Sequence, residues 1–202
     1  RANESRREME AVNVKLLKQS ETDQMTGLAN RYRLNAYSEK VLDYCYEHRL
    51  PLAMEILDID FFKQYNDNYG HQQGDECIIA IANELKKMED GQTFCARYGG
   101  DEFIIIYAGI SAEEVHAKAG ALRQNIMNLK LEHLYSKALP IVTISQGISY
   151  GVPEEGNRSW DFLHTADMLL YQVKKKSRND ICIADIRGQE LDLSSKQEKV
   201  EP

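Results

Sequence analysis

The sequence predicts an α+β domain with a mostly antiparallel central sheet. Three observations lead there. Apolar runs of strand length, around 52–57, 94–107 and 141–150, alternate with longer segments whose apolar residues recur at helical spacing. A Gly-Gly pair at 99–100 divides the 94–107 segment into two strands joined as a hairpin, which makes that pairing antiparallel. The helical segments fall between strands, so the economical packing is helices laid on a sheet.

The elements follow in order. Residues 1–20 are charged and helix-prone, with Met9, Val12 and Leu16 on one narrow apolar stripe. Three positions fit either a coiled-coil stalk or a helix packed or frayed at the N-terminus. Asn30 is the expected N-cap of a helix over 31–48, with Leu34, Tyr37, Val41, Leu42 and Cys45 on one side. Pro51 opens a buried strand over 52–58. Residues 61–75, FFKQYNDNYGHQQGD, are expected to be irregular and polar. A helix over about 74–89 carries Ile78, Ile81, Leu85 and Met88 at 3-4-3 spacing. The hairpin spans 94–107, and Ser111 with Glu114 forms a capping box that opens a helix to about 129. A strand at 141–150, a helix from Ser159 to Lys176 and a strand at 181–184 complete the domain, and the polar tail is expected to be disordered.

Composition narrows the function. The chain has 202 residues and a net charge of −7, so binding nucleic acid through a basic surface is not expected. No apolar run approaches the roughly 20 residues of a membrane helix. Cys45, Cys77, Cys95 and Cys182 form no CxxC pair and sit among apolar neighbours. They are read as reduced core residues of a cytoplasmic protein, or of the cytoplasmic part of a membrane-anchored one. The chain begins at Arg1, and the expectation is a sensory or membrane region ahead of it.

One pair of acids carries the chemistry. Asp58 ends the first strand, and Asp101 follows the Gly-Gly turn of RYGGDEF. If that strand lies beside the hairpin, both carboxylates emerge at one sheet edge. Two carboxylates held together repel unless a cation lies between them, and hard oxygen donors suit Mg²⁺ with substrate phosphates. Asp60 and Glu102 are further acids nearby. Gly99 and Gly100 permit positive φ and let a bulky ligand approach the backbone. On RYGGDEF alone, acids that merely solvate a turn are an equal reading. Lys63 and the backbone amides after the strand suit phosphates. Asn66 and Asp75 suit a purine edge, because a carboxylate can accept from both N1–H and the N2 amine of guanine. Lys174, Lys175, Lys176 and Arg178 close a helix, where basic residues also simply complement the dipole.

Five motifs in order then resemble the GGDEF domain family of diguanylate cyclases, over about residues 23–185. DQMTGLANR at 23–31 is similar to DxLTGLxNR. DIDFFKQYNDNYGHQQGD at 58–75 matches DxDxFKxxNDxxGHxxGD. GGDEF is intact at 99–103. VTISQG at 142–147 resembles VTxSxG, and ADMLLYQVK followed by Ser177-Arg178-Asn179 resembles ADxALYxAKxxGRN.

The resemblance implies a palm-like fold shared with nucleotidyl cyclases and polymerases. It implies condensation of two GTP into cyclic di-GMP at a homodimer interface, with release of two pyrophosphates. Asp58, the Ile59 carbonyl and Asp101 would hold Mg²⁺ or Mn²⁺. Glu102 would assist, and Asn66 and Asp75 would read guanine. Lys63, Lys174, Arg178 and the amides of Phe61 and Phe62 would grip the phosphates. The domains implied are a signalling helix at 1–22, the cyclase domain at 23–185 and a tail at 186–202. A catalytically silent GTP-binding regulatory domain is the alternative.

Departures from the family pattern are Met25 for Leu, Leu169 for Ala and Ser177 for Gly; the last removes a glycine beside the phosphate grip. The product-binding RxxD motif has Asp90-Gly91-Gln92-Thr93 in its place, so feedback inhibition through that site is not expected.

Overall fold

The computed structural model describes residues 2–191 and 193. The chain runs α1 (Ala2–Glu21), α2 (Arg31–His48), β1 (Leu52–Ile59), α3 (Phe62–Tyr69), α4 (His71–Met88), β2 (Thr93–Gly99), β3 (Glu102–Ala108), α5 (Ala112–Asn128), β4 (Ile144–Gly151), α6 (Ser159–Lys176) and β5 (Ile181–Asp185). Five strands form one sheet in the order β2-β3-β1-β4-β5. Every pairing is antiparallel except β4 with β5, which α6 connects as a parallel crossover. The palm-like α+β expectation holds.

β1 is central and all eight of its residues are buried. One sheet face packs α4 and α5 through Leu57, Phe103, Ile105, Ile81, Leu85 and Leu122. The other packs α2 and α6 through Met54, Ile56, Ile104, Ile106, Leu34 and Phe162. With helices on both faces, β1 reads as a continuous apolar run rather than an alternating one. Two acids break the run, Glu55 in its middle and Asp58 near its end. Glu55 is fully buried, accepting from Tyr107 Oη at 2.7 Å and Gln146 Nε2 at 2.7 Å. Burial pushes its carboxyl up to about 7, against the pull of those two donors.

Several sequence expectations meet the structure directly. Asn30 caps α2 by accepting the Arg33 N–H, and the Ser111–Glu114 capping box opens α5. Two expectations need correction. Residues 61–75 are not irregular: 62–69 form α3, and α4 begins at His71, earlier than expected. Phe62, Tyr65 and Tyr69 supply α3 with an apolar side that the polar residues between them mask. The start of the tail is also ordered. The chain turns at Asp185–Gly188, Ala184 bridges Glu190, and Leu191 and Leu193 pack against the core. Residues 192 and 194–202 lie outside the described residues. Cys45, Cys77 and Cys95 are buried and free as expected, whereas Cys182 is only partly buried.

On α1, Met9, Val12 and Leu16 are 65%, 54% and 55% exposed, so their stripe covers no core of this chain. No helix among the described residues is long and apolar enough to cross a membrane.

Candidate active site

The C-terminal end of β1, the start of β3 and the start of β4 meet at one edge of the sheet. There Asp58 stands opposite Glu102 on one side and Ser145 on the other. The hairpin turns at Gly99–Asp101, with Gly100 at φ +55° and a register shift between Arg97 and Gly99. That turn carries Asp101 to Asp58, the juxtaposition expected from the sequence.

The two acids are near enough for Asp58 to bear on the Asp101 carboxyl. Asp101 is pushed up to about 7, first by burial and then by the hydrogen bond and charge of Asp58. Glu102 is also raised, by burial and then by Asp58. From the C-terminal end of α6, the Lys174 ammonium bonds Asp58 Oδ2, an ion pair. The other oxygen, Asp58 Oδ1, is buried and has no hydrogen-bond partner. A buried carboxylate oxygen left unpaired is expensive, so the site is built for a further cation or donor. No three His, Cys, Asp or Glu side chains converge on a metal cage among the described residues. The two carboxylates suit a hard cation such as Mg²⁺, which commonly takes one or two carboxylates and completes its shell with substrate phosphates and water.

Asp60 is not a spare acid for this set. It is fully buried and accepts from Thr143 Oγ1 at 2.8 Å, Ser145 Oγ at 2.6 Å and the Asn179 N–H at 2.9 Å. Arg178 Nη1 lies 3.7 Å from it. Arg178 and Asn179 both take positive φ, at +54° and +44°, and Asp60 ties this left-handed pair down. Ser177, where the family has Gly, has φ −139° and requires no glycine. The Arg178 guanidinium lies over the Phe61 ring at 4.2 Å, which brings the α6 end against the start of α3.

That start is open. No side chain caps α3, so its first-turn amides, including that of Phe62, lack a side-chain cap and have the helix dipole behind them. Lys63 is exposed beside them. Of the residues expected to grip phosphate, Phe61 and Arg178 touch, Lys174 pairs with Asp58, and Phe62 and Lys63 stand in the first turn of α3. Farther along α3, Asn66 Oδ1 is buried and unpartnered, set against Gly74 of α4. A Cβ at Gly74 would stand 1.8 Å from that oxygen, so only glycine lets α4 come this close. Asp75 follows on α4 and is exposed.

Two supporting residues have roles that become visible only in three dimensions. Arg97 bonds the Gly100 carbonyl through Nε at 3.1 Å and Nη2 at 2.9 Å, and Asp23 through Nη1 at 3.2 Å. Burial works against the Asp23 carboxylate, but hydrogen bonds from Thr26 and the Arg97 charge hold its pKa low. The Gly-Gly turn is thus tethered to the opening motif; both residues lie within motif stretches, which is the signal that could have found them. At the RxxD position, Lys118 bonds Asp90 Oδ2 and Thr93 Oγ1, each at 3.0 Å, so both side chains are engaged within the chain.

The family model described as "Diguanylate cyclase, GGDEF domain" matches residues 20–180. The probable diguanylate cyclase DgcC of Escherichia coli K12 is 35% identical over 163 residues, covering 79% of this chain and 42% of that protein. The response regulator PleD of Caulobacter vibrioides is 31% identical over 160 residues, covering 79% of this chain and 35% of that protein. The chain thus spans less than half the length of these curated relatives. Among solved structures, the coiled coil and GGDEF domain of DgcB from Caulobacter crescentus, in complex with c-di-GMP, aligns with a TM-score of 0.81 at 28% identity. It covers 91% of this chain and 95% of that one.

Proposed function

We propose, from the premise that this chain belongs to the GGDEF domain family of diguanylate cyclases, that it condenses two GTP into cyclic di-GMP as the output domain of a longer signalling protein. The observation that carries this is the meeting of Asp58, Asp101 and Lys174 at one sheet edge with Asp58 Oδ1 left buried and unpaired.

Asp58, Asp101 and the Ile59 carbonyl would hold Mg²⁺ or Mn²⁺. Bound there, the metal polarises the α-phosphate and favours the attacking alkoxide. The chain's own residues do the rest. The Phe61 and Phe62 amides, Lys63, Lys174 and Arg178 bind the triphosphate, and Lys174 exchanges Asp58 for a phosphate oxygen as the nucleotide arrives. Asn66 Oδ1 accepts from guanine, and Asp75 accepts from the same donor edge. Glu102, its carboxyl raised by burial and by Asp58, is the group suited to draw the proton from the 3′-hydroxyl.

One domain holds one nucleotide, so two copies must face each other. Each 3′-oxygen bonds the α-phosphorus of the other GTP, the bond to pyrophosphate breaks, and two pyrophosphates leave. The exposed Met9, Val12 and Leu16 stripe of α1 supports a helical pairing that brings the copies together, as does the likeness to a domain carrying a coiled coil. With Asp90 and Thr93 engaged by Lys118, product inhibition at that stretch is absent from this reading.

Incubation of the concentrated chain with GTP and Mg²⁺, beside Asp101→Ala, tests the proposal by chromatography. Cyclic di-GMP from the wild type alone is expected. Tight magnesium-dependent GTP binding without product, even when the chain is fused to a dimerising coiled coil, would leave a silent regulatory domain instead.

A further inference from the structure

We infer that His133 is a positioning residue for the phosphate-binding turn at Phe61-Phe62, acting on it through the Phe61 carbonyl from the loop between α5 and β4. This rests on the phosphate-gripping role proposed above for that turn.

Phe61 has φ +55°, a left-handed conformation that a bulky side chain adopts only when its surroundings impose it. Two contacts do so. Arg178 lies on its ring, and His133 Nε2 lies 3.0 Å from its carbonyl oxygen. A carbonyl only accepts, so Nε2 carries the proton and donates. The same carbonyl accepts the Tyr65 N–H at 3.0 Å, closing the first turn of α3. The peptide unit is planar and trans, so fixing the Phe61 C=O aims the Phe62 N–H the opposite way. His133 therefore grips the peptide at its carbonyl while the Phe62 N–H points away from it, at a helix start that no side chain caps.

The loop is built for this contact. His133 is fully buried, with its ring edge-on to Tyr65 at 5.1 Å and Tyr69 at 6.2 Å, both on α3. Tyr69 Oη accepts the Leu134 N–H at 3.0 Å and donates to Glu132 at 3.3 Å. The loop is closed by the Glu132–Ile141 bridge and by the His133 N–H to the Pro140 carbonyl at 3.0 Å. His133 Nδ1 is buried without a partner. An apolar side chain of this length would pack without leaving that nitrogen orphaned, so what the imidazole adds is the single donor to Phe61. α3 has eight residues, too few to hold its first turn unaided, and that turn carries Phe62 and Lys63.

The test uses the whole chain with Mg²⁺ and 3′-deoxy-GTP, which keeps the triphosphate but has no hydroxyl with which to condense. His133→Met removes the donor at equal length, and His133→Gln returns an amide nitrogen to the Nε2 position. Calorimetry is expected to show 3′-deoxy-GTP weakened about tenfold by Met and within about twofold of wild type for Gln. Binding of 3′-deoxyguanosine, followed by NMR, should be unchanged in both. If Met melts below the assay temperature, His133→Asn, whose amide falls short of Phe61, replaces it with the same tenfold loss expected. A donor-less variant that binds like wild type, or that weakens both ligands equally, overturns the inference and leaves the proposed function standing. A wild type that does not bind 3′-deoxy-GTP overturns both.

Discussion

Gly74→Ala tests the proposed guanine contact of Asn66 without altering any group that would make it. The new Cβ would stand 1.8 Å from Asn66 Oδ1, 2.9 Å from its Cγ and 3.3 Å from Phe62 Cζ. A carbon and an oxygen do not approach much closer than about 3.3 Å, so the Asn66 amide must move by roughly 1.5 Å. The fold should tolerate this. Alanine in a helix interior gains about 1 kcal/mol over glycine, against an overpacking cost of roughly 1–3 kcal/mol. The net loss is then at most about 2 kcal/mol, a fall in Tm of roughly 4–8 °C for a chain of this size. Asn66 Oδ1 has no partner in the unliganded protein, so its displacement is felt only when guanine arrives. A buried hydrogen-bonding group left unmatched costs about 1–3 kcal/mol, which places kcat/KM for GTP about 5- to 150-fold down. Initial rates of cyclic di-GMP formation, run beside thermal melts, measure both quantities. Wild-type kcat/KM in a folded Gly74→Ala variant would refute the reasoning, because the structure leaves no room for both side chains.

Asp101→Asn keeps the shape of the turn and removes one of two facing acids. Turnover should vanish in the chromatographic assay while Tm holds or rises, since the repulsion from Asp58 is relieved. Glu55→Gln should flatten the pH dependence of stability. Burial raises this carboxyl from 4.5 to about 7 in the folded state. The stability present below about pH 4.5 is therefore lost as pH climbs through 7, by up to about 3 kcal/mol. Urea midpoints at pH 5 and pH 8 should converge in the Gln variant, and parallel curves for the two proteins would contradict this. Deleting residues 1–21 should leave the melt within a few degrees, since the α1 stripe covers no core. It should also lower specific activity at dilute protein concentration, with sedimentation reporting loss of dimer.

The sequence carried the motif residues and much of the helix framework, because caps and 3-4 spacing are local signals: Asn30, the Ser111–Glu114 box and α6 are where they were expected. It concealed α3, whose apolar Phe62, Tyr65 and Tyr69 are separated by Asn, Asp, Gln and Lys, residues that equally suit a loop. It concealed Asp60 for a different reason. An acid two residues from a metal-ligand candidate looks like a second ligand until Thr143, Ser145 and Asn179 are seen to surround it. Those partners lie 83, 85 and 119 positions away, beyond any local pattern. His133 was equally unreadable: a lone histidine gives no signal until the fold brings its Nε2 to the Phe61 carbonyl, 72 positions distant.

The central strand also dictates the order in which the domain can mature on the ribosome. β1 meets β3 once residue 108 has emerged, but its other edge waits for β4, and Asp58 waits 116 residues for Lys174. Until then a nascent chain carries an apolar strand with one unsatisfied edge, the kind of surface that chaperones and neighbouring chains recognise. Closing that long separation is entropically slow and is rewarded only when α6 and β5 dock together. The ion pair at Asp58 thus arrives with the final tertiary contacts, and an intermediate lacking α6 has neither Lys174 nor Arg178, the two cations proposed for the triphosphate.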